Sequence, residues 1–172
     1  MAIGKSRIVS VSNDTEPVTL AEAKNYLRIT NDTDDDALIT SQISAARNIA
    51  ETYLSRDILP RVREQFTTEL DNRYLDLFFG PIDSITSVET EEDGTLTEDS
   101  EYEVVGLSTE PYIKFVNATS YKDITVTYET EGLTTDNTVK QGVLAILADL
   151  YNGEDIKKSC FAILSPLRKK YI

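Results

Sequence analysis

A chain of 172 residues with a net charge of −13 and no histidine has the length of one domain, or of one domain with an appendage. The absent histidine excludes Ser-His-Asp and Cys-His catalysis and the usual zinc ligand sets, and the single cysteine, Cys160, excludes an intrachain disulfide. With 40% hydrophobic and 27% charged residues the composition is that of a soluble globular protein, one long enough to bury roughly 70% of its unfolded surface without staples.

No long apolar run and no charged-then-apolar start occurs, so neither a membrane span nor a signal peptide is expected, and the simplest compartment is cytoplasmic. Met1–Ser12 alternates mildly apolar and polar residues, which reads as a flexible arm or an edge strand; the arm is taken over 1–17. Thr19 and Glu22 have capping-box spacing, and Leu20, Ala23 and Leu27 recur at helical spacing, predicting a helix that ends near Arg28. Asp32, Asp34, Asp35 and Asp36 follow, placed to cap a second helix at the positive end of its dipole. That helix carries Ile39, Ile43, Ala46, Ala50 and Tyr53 on one stripe, widened by Ile49. The pair forms an αα-hairpin over 18–60, closed by the break at Pro60.

From Arg61 the period changes to two, predicting a strand to Leu70, a turn at Asp71-Asn72 and a second strand over Tyr74–Phe79. A third follows Gly80-Pro81 at Ile82–Glu91, with Ile82, Ser84, Thr86 and Val88 on one face, and Asp93-Gly94 supplies a tight turn. Tyr102–Val105, Tyr112–Val116 and Ile124–Tyr128 read as further short strands, so 61–130 is an antiparallel β-module inserted between helices. Asp136 or Asn137 opens a last strong helix over 136–152, with Val139, Val143, Ile146, Leu147 and Leu150 on one face, stopped by Asn152-Gly153. Beyond it lie an apolar patch (Phe161, Ile163, Leu164) and a helix start at Ser165-Pro166. The fold class is therefore α+β: a helical body made of the N-terminal hairpin and the C-terminal helix, with the inserted β-module and an extended tail. Residues 18–156 form a single domain and 157–172 a basic tail.

The order of these pieces is similar to phage head–tail connector (adaptor, head-completion) proteins of long-tailed phages. VTLAEAKNYLRI, a run of Asp and ALITSQISAARNIAETYLSRDILP resemble the family's beginning. FFGPIDSITSVET and TVKQGVLAILADLYNGED resemble its strand after a proline and its late helix. The resemblance implies a structural neck component of the virion: a homo-oligomeric ring, usually dodecameric, that docks on the portal protein and joins it to the next neck or tail (stopper) protein. DNA would pass through the channel without sequence-specific binding. No enzymatic activity, cofactor or membrane is implied. Other readings left open by the residues are a stopper or tail-completion protein, a monomeric binding module and a carboxylate-metal enzyme.

Charge distribution bears on partners. Five basic residues (Lys157, Lys158, Arg168, Lys169, Lys170) and no acidic one lie in 157–172, leaving −18 on the remainder. An acidic body disfavours adhesion to nucleic acid, while a basic tail fits docking on an acidic surface or simply a solvated end. The family's C-terminal segment reaches towards the portal, which makes Leu167, Arg168, Lys169, Lys170, Tyr171 and Ile172 the candidate partner-binding residues. Neighbouring lysines could lower the pKa of Cys160, although a buried apolar role suits a thiol with no base partner. Read as an EF-hand loop, Asn31–Asp36 lacks both the required Gly and the bidentate Glu.

Overall fold

The computed structural model describes residues 5–30, 33–70, 73–116 and 121–169. The architecture is α+β, but its contacts divide the chain into two units rather than a single domain with an arm and a tail. Met1–Asn13 with Pro60–Gly132 makes one, and Asp14–Leu59 with Leu133–Ile172 the other. Among the described residues no helix is long and apolar enough to cross a membrane.

The second unit is helical. Helix α1, Leu20–Leu27, opens with the expected capping box: Glu22 N–H donates to Thr19 Oγ1 (3.2 Å) and Thr19 N–H to Glu22 Oε2 (2.8 Å). It stops at Arg28, whose φ of 62° is left-handed. Helix α2, Asp36–Leu54, buries Ile39, Ile43, Ala46, Ala50 and Leu54, with Ile49 and Tyr53 half-buried at the margin of the stripe. Its start corrects the expected carboxylate cap. Asp35 is the N-cap but makes no side-chain cap bond, because its Oδ2 accepts from Tyr151 Oη (2.6 Å) and Asp36 Oδ1 accepts from Lys24 Nζ (2.6 Å). Asp32 lies outside the described residues. Helix α3, Asn137–Tyr151, is capped by Asp136, which accepts from the N–H groups of Thr138 (2.7 Å) and Val139 (3.1 Å). Gly153, at φ 66°, ends the run. A fourth helix, α4 at Lys158–Leu164, continues into a 3-10 turn over Ser165–Leu167. Cys160 and Leu164 of α4 join Ile39, Ile43, Val143 and Leu147 in one apolar core.

A buried ion network holds the hairpin. Arg47, 7% exposed, donates bidentately to Glu16 (2.8 and 3.1 Å) and also to Glu51 (3.1 Å). The other Glu51 oxygen accepts the N–H groups of Ile58 (2.9 Å) and Leu59 (3.3 Å). Leu133 N–H donates to Ile58 O (2.8 Å), so the chain returns to this unit beside the point where it left.

The first unit is built of sheets. Strands β1 (Lys5–Val11), β2 (Arg61–Leu70), β4 (Ile82–Thr90), β5 (Gly94–Thr95) and β8 (Tyr121–Thr130) form an antiparallel sheet in the order β1-β2-β8-β4-β5. Strands β3 (Tyr74–Asp76), β6 (Tyr102–Val105) and β7 (Tyr112–Phe115) form a second, in the order β3-β7-β6. Residues 5–11 are thus an edge strand on β2 and not an arm. The alternation of β2 turns a polar face inward: Arg61, Arg63, Gln65 and Thr67 are buried, while Phe66 is 36% exposed. Gln65 explains how that face is tolerated. Its Nε2 donates to Asp76 O (2.8 Å) and its Oε1 accepts from Phe78 N–H (3.0 Å), while the Arg63 guanidinium lies 3.6 Å from the centre of the Phe79 ring. After Asp76 the Leu77 N–H still donates to Pro111 O (2.9 Å), but proline has no N–H to return, so β3 is shorter than the predicted Tyr74–Phe79. In β4, register shifts at Ile82/Ser84 and Ile85/Ser87 interrupt the predicted single face. The turn at Asp71-Asn72 lies outside the described residues.

Candidate functional site

The region singled out by the sequence begins where α3 ends. Asp149 is buried and its carboxylate accepts from Lys157 N–H (2.9 Å), Lys157 Nζ (3.0 Å) and Cys160 Sγ (3.2 Å). The backbone N–H of Lys157, followed by its ammonium and the thiol, holds the Asp149 pKa below the usual carboxylate value. Lys157 in turn is raised by its bonds to Glu154 and Asp149. Burial, then the hydrogen bond to Asp149, pushes the Cys160 thiol up. The two lysines next to Cys160 in sequence therefore do not make it a thiolate; it is a donor in the joint between α3 and α4.

Helix α4 packs closely because position 142 is glycine. A Cβ there would lie 2.4 Å from Leu164 Cδ2 and 2.5 Å from its Cγ. On the other side of α4 the Phe161 and Tyr53 rings are 4.7 Å apart, and the Arg168 guanidinium lies 4.9 Å from the Tyr53 ring centre. Lys169 N–H donates to Leu54 O (2.9 Å), satisfying a carbonyl at the end of α2. Leu167 is half-buried on the helical core. Of the six predicted partner-binding residues, the structure thus brings Leu167, Arg168 and Lys169 together against the helical unit. Lys170, Tyr171 and Ile172 lie outside the described residues. Tyr53, the ring under Arg168, and Phe161 packed against it are not joined into one surface by the sequence. The available signal was the apolar patch Phe161, Ile163 and Leu164 directly preceding Ser165-Pro166.

A second concavity in the same unit is a groove of about 370 Å³ lined by residues including Val18, Glu22, Tyr26, Lys140 and Leu144. Lys140 and Glu22 form an ion pair across it at 3.3 Å. Neither place has the geometry of a reaction centre: the described carboxylates Asp149, Glu22, Asp35 and Asp36 are engaged by cations, N–H or O–H donors. Among the described residues no group of three or more His, Cys, Asp or Glu side chains is arranged to hold a metal ion. What the arrangement can do is present a mixed aromatic and basic surface, and the described polar groups beneath it are largely satisfied.

Nearly the whole chain is similar to chains in solved structures of gene transfer agent (GTA) particles. A chain in "Neck of empty GTA particle computed with C6 symmetry" superposes with a TM-score of 0.72 at 15% identity, covering 98% of this chain and 97% of that one. One in "Virion of native gene transfer agent (GTA) particle" gives 0.72 at 17% identity, covering 97% and 96%. One in "Neck of native GTA particle computed with C12 symmetry" gives 0.68 at 14%, covering 96% and 97%. No curated protein matches the sequence. At these identities the structures share a fold, while the sequence itself supplies kinship: residues 17–155 match the family described as Phage gp6-like head-tail connector protein, and the chain belongs to that family.

Proposed function

We propose that this protein is the adaptor of a phage neck, assembling into a ring that docks on the portal and passes the connection to the next neck or tail protein. Family membership makes it a structural virion component of the head–tail connection and not an enzyme. The observation that carries the finer reading is the near-complete superposition on chains from necks computed with six-fold and twelve-fold symmetry. Repeated copies in closed symmetry are what a ring requires. An acidic body is compatible with a channel along which DNA slides without adhering.

Portal docking is assigned to Leu167, Arg168, Lys169, Lys170, Tyr171 and Ile172. The first three start from a docked position on their own unit, so binding exchanges the Arg168–Tyr53 and Lys169–Leu54 contacts for contacts on the portal. The test is co-sedimentation of the full chain with portal assemblies across a salt series. Arg168→Glu with Lys169→Glu should weaken binding most at low salt, since exposed charges steer association and are screened. Undiminished binding of this folded variant at every salt concentration would move the contact elsewhere on the helical unit.

A further inference from the structure

Strand β1 is exposed in a way the rest of the sheet is not. Ile8, Val9 and Val11 are 47%, 52% and 47% exposed, Val9 being the residue at which the pairing with β2 shifts register. One side of β1 pairs with β2; the other is the free edge of the sheet. An apolar edge strand is a template for another strand unless it is blunted. Lys5–Val11 contains no proline, and its one irregularity lies between Ile8 and Ser10.

The far edge of the same sheet has the complementary character. Between Ile82 and Thr95 the sequence holds five acidic side chains and no Lys or Arg. This stretch supplies β4 and β5, with Glu89, Glu91, Glu92 and Asp93 exposed around the turn that joins them. Strand β5 pairs only with Glu89 and Thr90 of β4, which leaves Asp83–Ser87 without a ladder partner on that side among the described strands. Lys5 and Arg7 lie on the apolar edge, Arg7 paired with Glu64 of β2 (2.7 Å) and set over the Phe66 ring, and the carboxylates lie on the other.

We infer that β1 of one copy docks on the β4–β5 edge of the next copy, continuing the sheet from subunit to subunit. This rests on the ring reading given above. Two complementary edges at opposite ends of one sheet are satisfied together only head to tail, and such a contact, repeated, makes a ring when its rotation closes and an open filament when it does not. Main-chain bonds supply the attachment, as in other strand additions. Ile8, Val9 and Val11 supply buried area. Lys5, and Arg7 once it is shared with or released from Glu64, face Glu89, Glu91, Glu92 and Asp93, which fixes the direction and disfavours pairing of two β1 edges, where like charges would meet.

The test uses full-length chain in assembled necks. Val9→Cys with Thr95→Cys should give, on oxidation, a ladder of covalent multimers of this chain, while either cysteine alone gives none. In a second arm, Lys5→Glu with Arg7→Glu, and separately Glu91→Lys with Glu92→Lys, should each lower the yield of assembled rings at least tenfold. Mixing the two charge variants should restore assembly, because alternating copies match at both edges. Melting of each variant is checked first, and the cysteine arm decides if a charge variant does not fold. Rings that form without the cross-link, cross-linking by Val9→Cys alone, or a cross-link to a different neck protein would each overturn the inference and leave the ring standing. Assembled necks in which this chain forms no ring would overturn the ring reading itself.

Discussion

At the scale of single residues, most of the stability argument sits in two buried charges. Arg47 is held by Glu16 and Glu51 at once, and removing one member of a buried ion network leaves the others uncompensated. Arg47→Met should therefore cost about 3–5 kcal/mol, measured as a loss in chemical unfolding free energy. Asp149 makes a pH-dependent contribution of known sign. Its pKa is lowered in the folded chain, so its contribution is full above the ordinary carboxylate value of about 4 and is lost as pH falls through the folded value. Asp149→Asn should then melt below wild type at neutral pH, with a deficit that shrinks below about pH 4; a deficit independent of pH would show that Asp149 acts only by shape. Neither residue announced its role in the sequence. The partners Glu16 and Arg47 lie far apart along the chain, and Asp149 sits near the end of an apolar stripe as an ordinary polar position.

At the scale of elements, local rules were the most readable. The Thr19–Glu22 box, the Asp136 cap and the helical spacings of α2 and α3 are short-range facts, and a period-two run with a punctuating Pro60 fixed β2 at Arg61–Leu70. Three features were not readable, each for a tertiary reason. Alternation separates the two faces of β2 but does not say which one is inside, and the answer depends on Gln65 meeting Asp76 and Phe78. The acidic turn reads as a cap in the sequence, yet Tyr151 and Lys24 take the Asp35 and Asp36 carboxylates from outside the helix. Helix α4 has seven residues, too few for a periodic signal, and is held by the notch at Gly142. Gly142→Ala should force Leu164 out of place at a cost of about 1–3 kcal/mol. Combining it with Leu164→Ala should give a non-additive recovery in thermal unfolding, whereas simple additivity would mean that α4 packs elsewhere. Ile43→Asp or Ile146→Asp should unfold the helical unit, since each buries an unpaired charge in its core.

At the scale of the whole molecule, the α+β class and the insertion of strands between helices were legible from the change of period. The division into two units was not, because β1 joins its sheet from the opposite end of the sequence. Charge and apolar residues mark the C-terminal segment in the sequence, while the place of Arg168 on the Tyr53 ring required the fold. A chain of residues 14–59 joined by a short Gly-Ser link to 133–172 should retain a cooperative helical transition by circular dichroism, since each unit has its own core. Loss of cooperativity would mean that the helical core depends on the sheets. The bond from Leu133 N–H to the Ile58 carbonyl adds a consequence for how such proteins diversify. The intervening segment is a detour that departs and returns at one place, so lengthening, trimming or exchanging it leaves the spacing of the two flanking stretches unchanged. Related genes can trade this stretch, together with the β1 strand that completes its sheet, as a cassette while the helical frame keeps its dimensions.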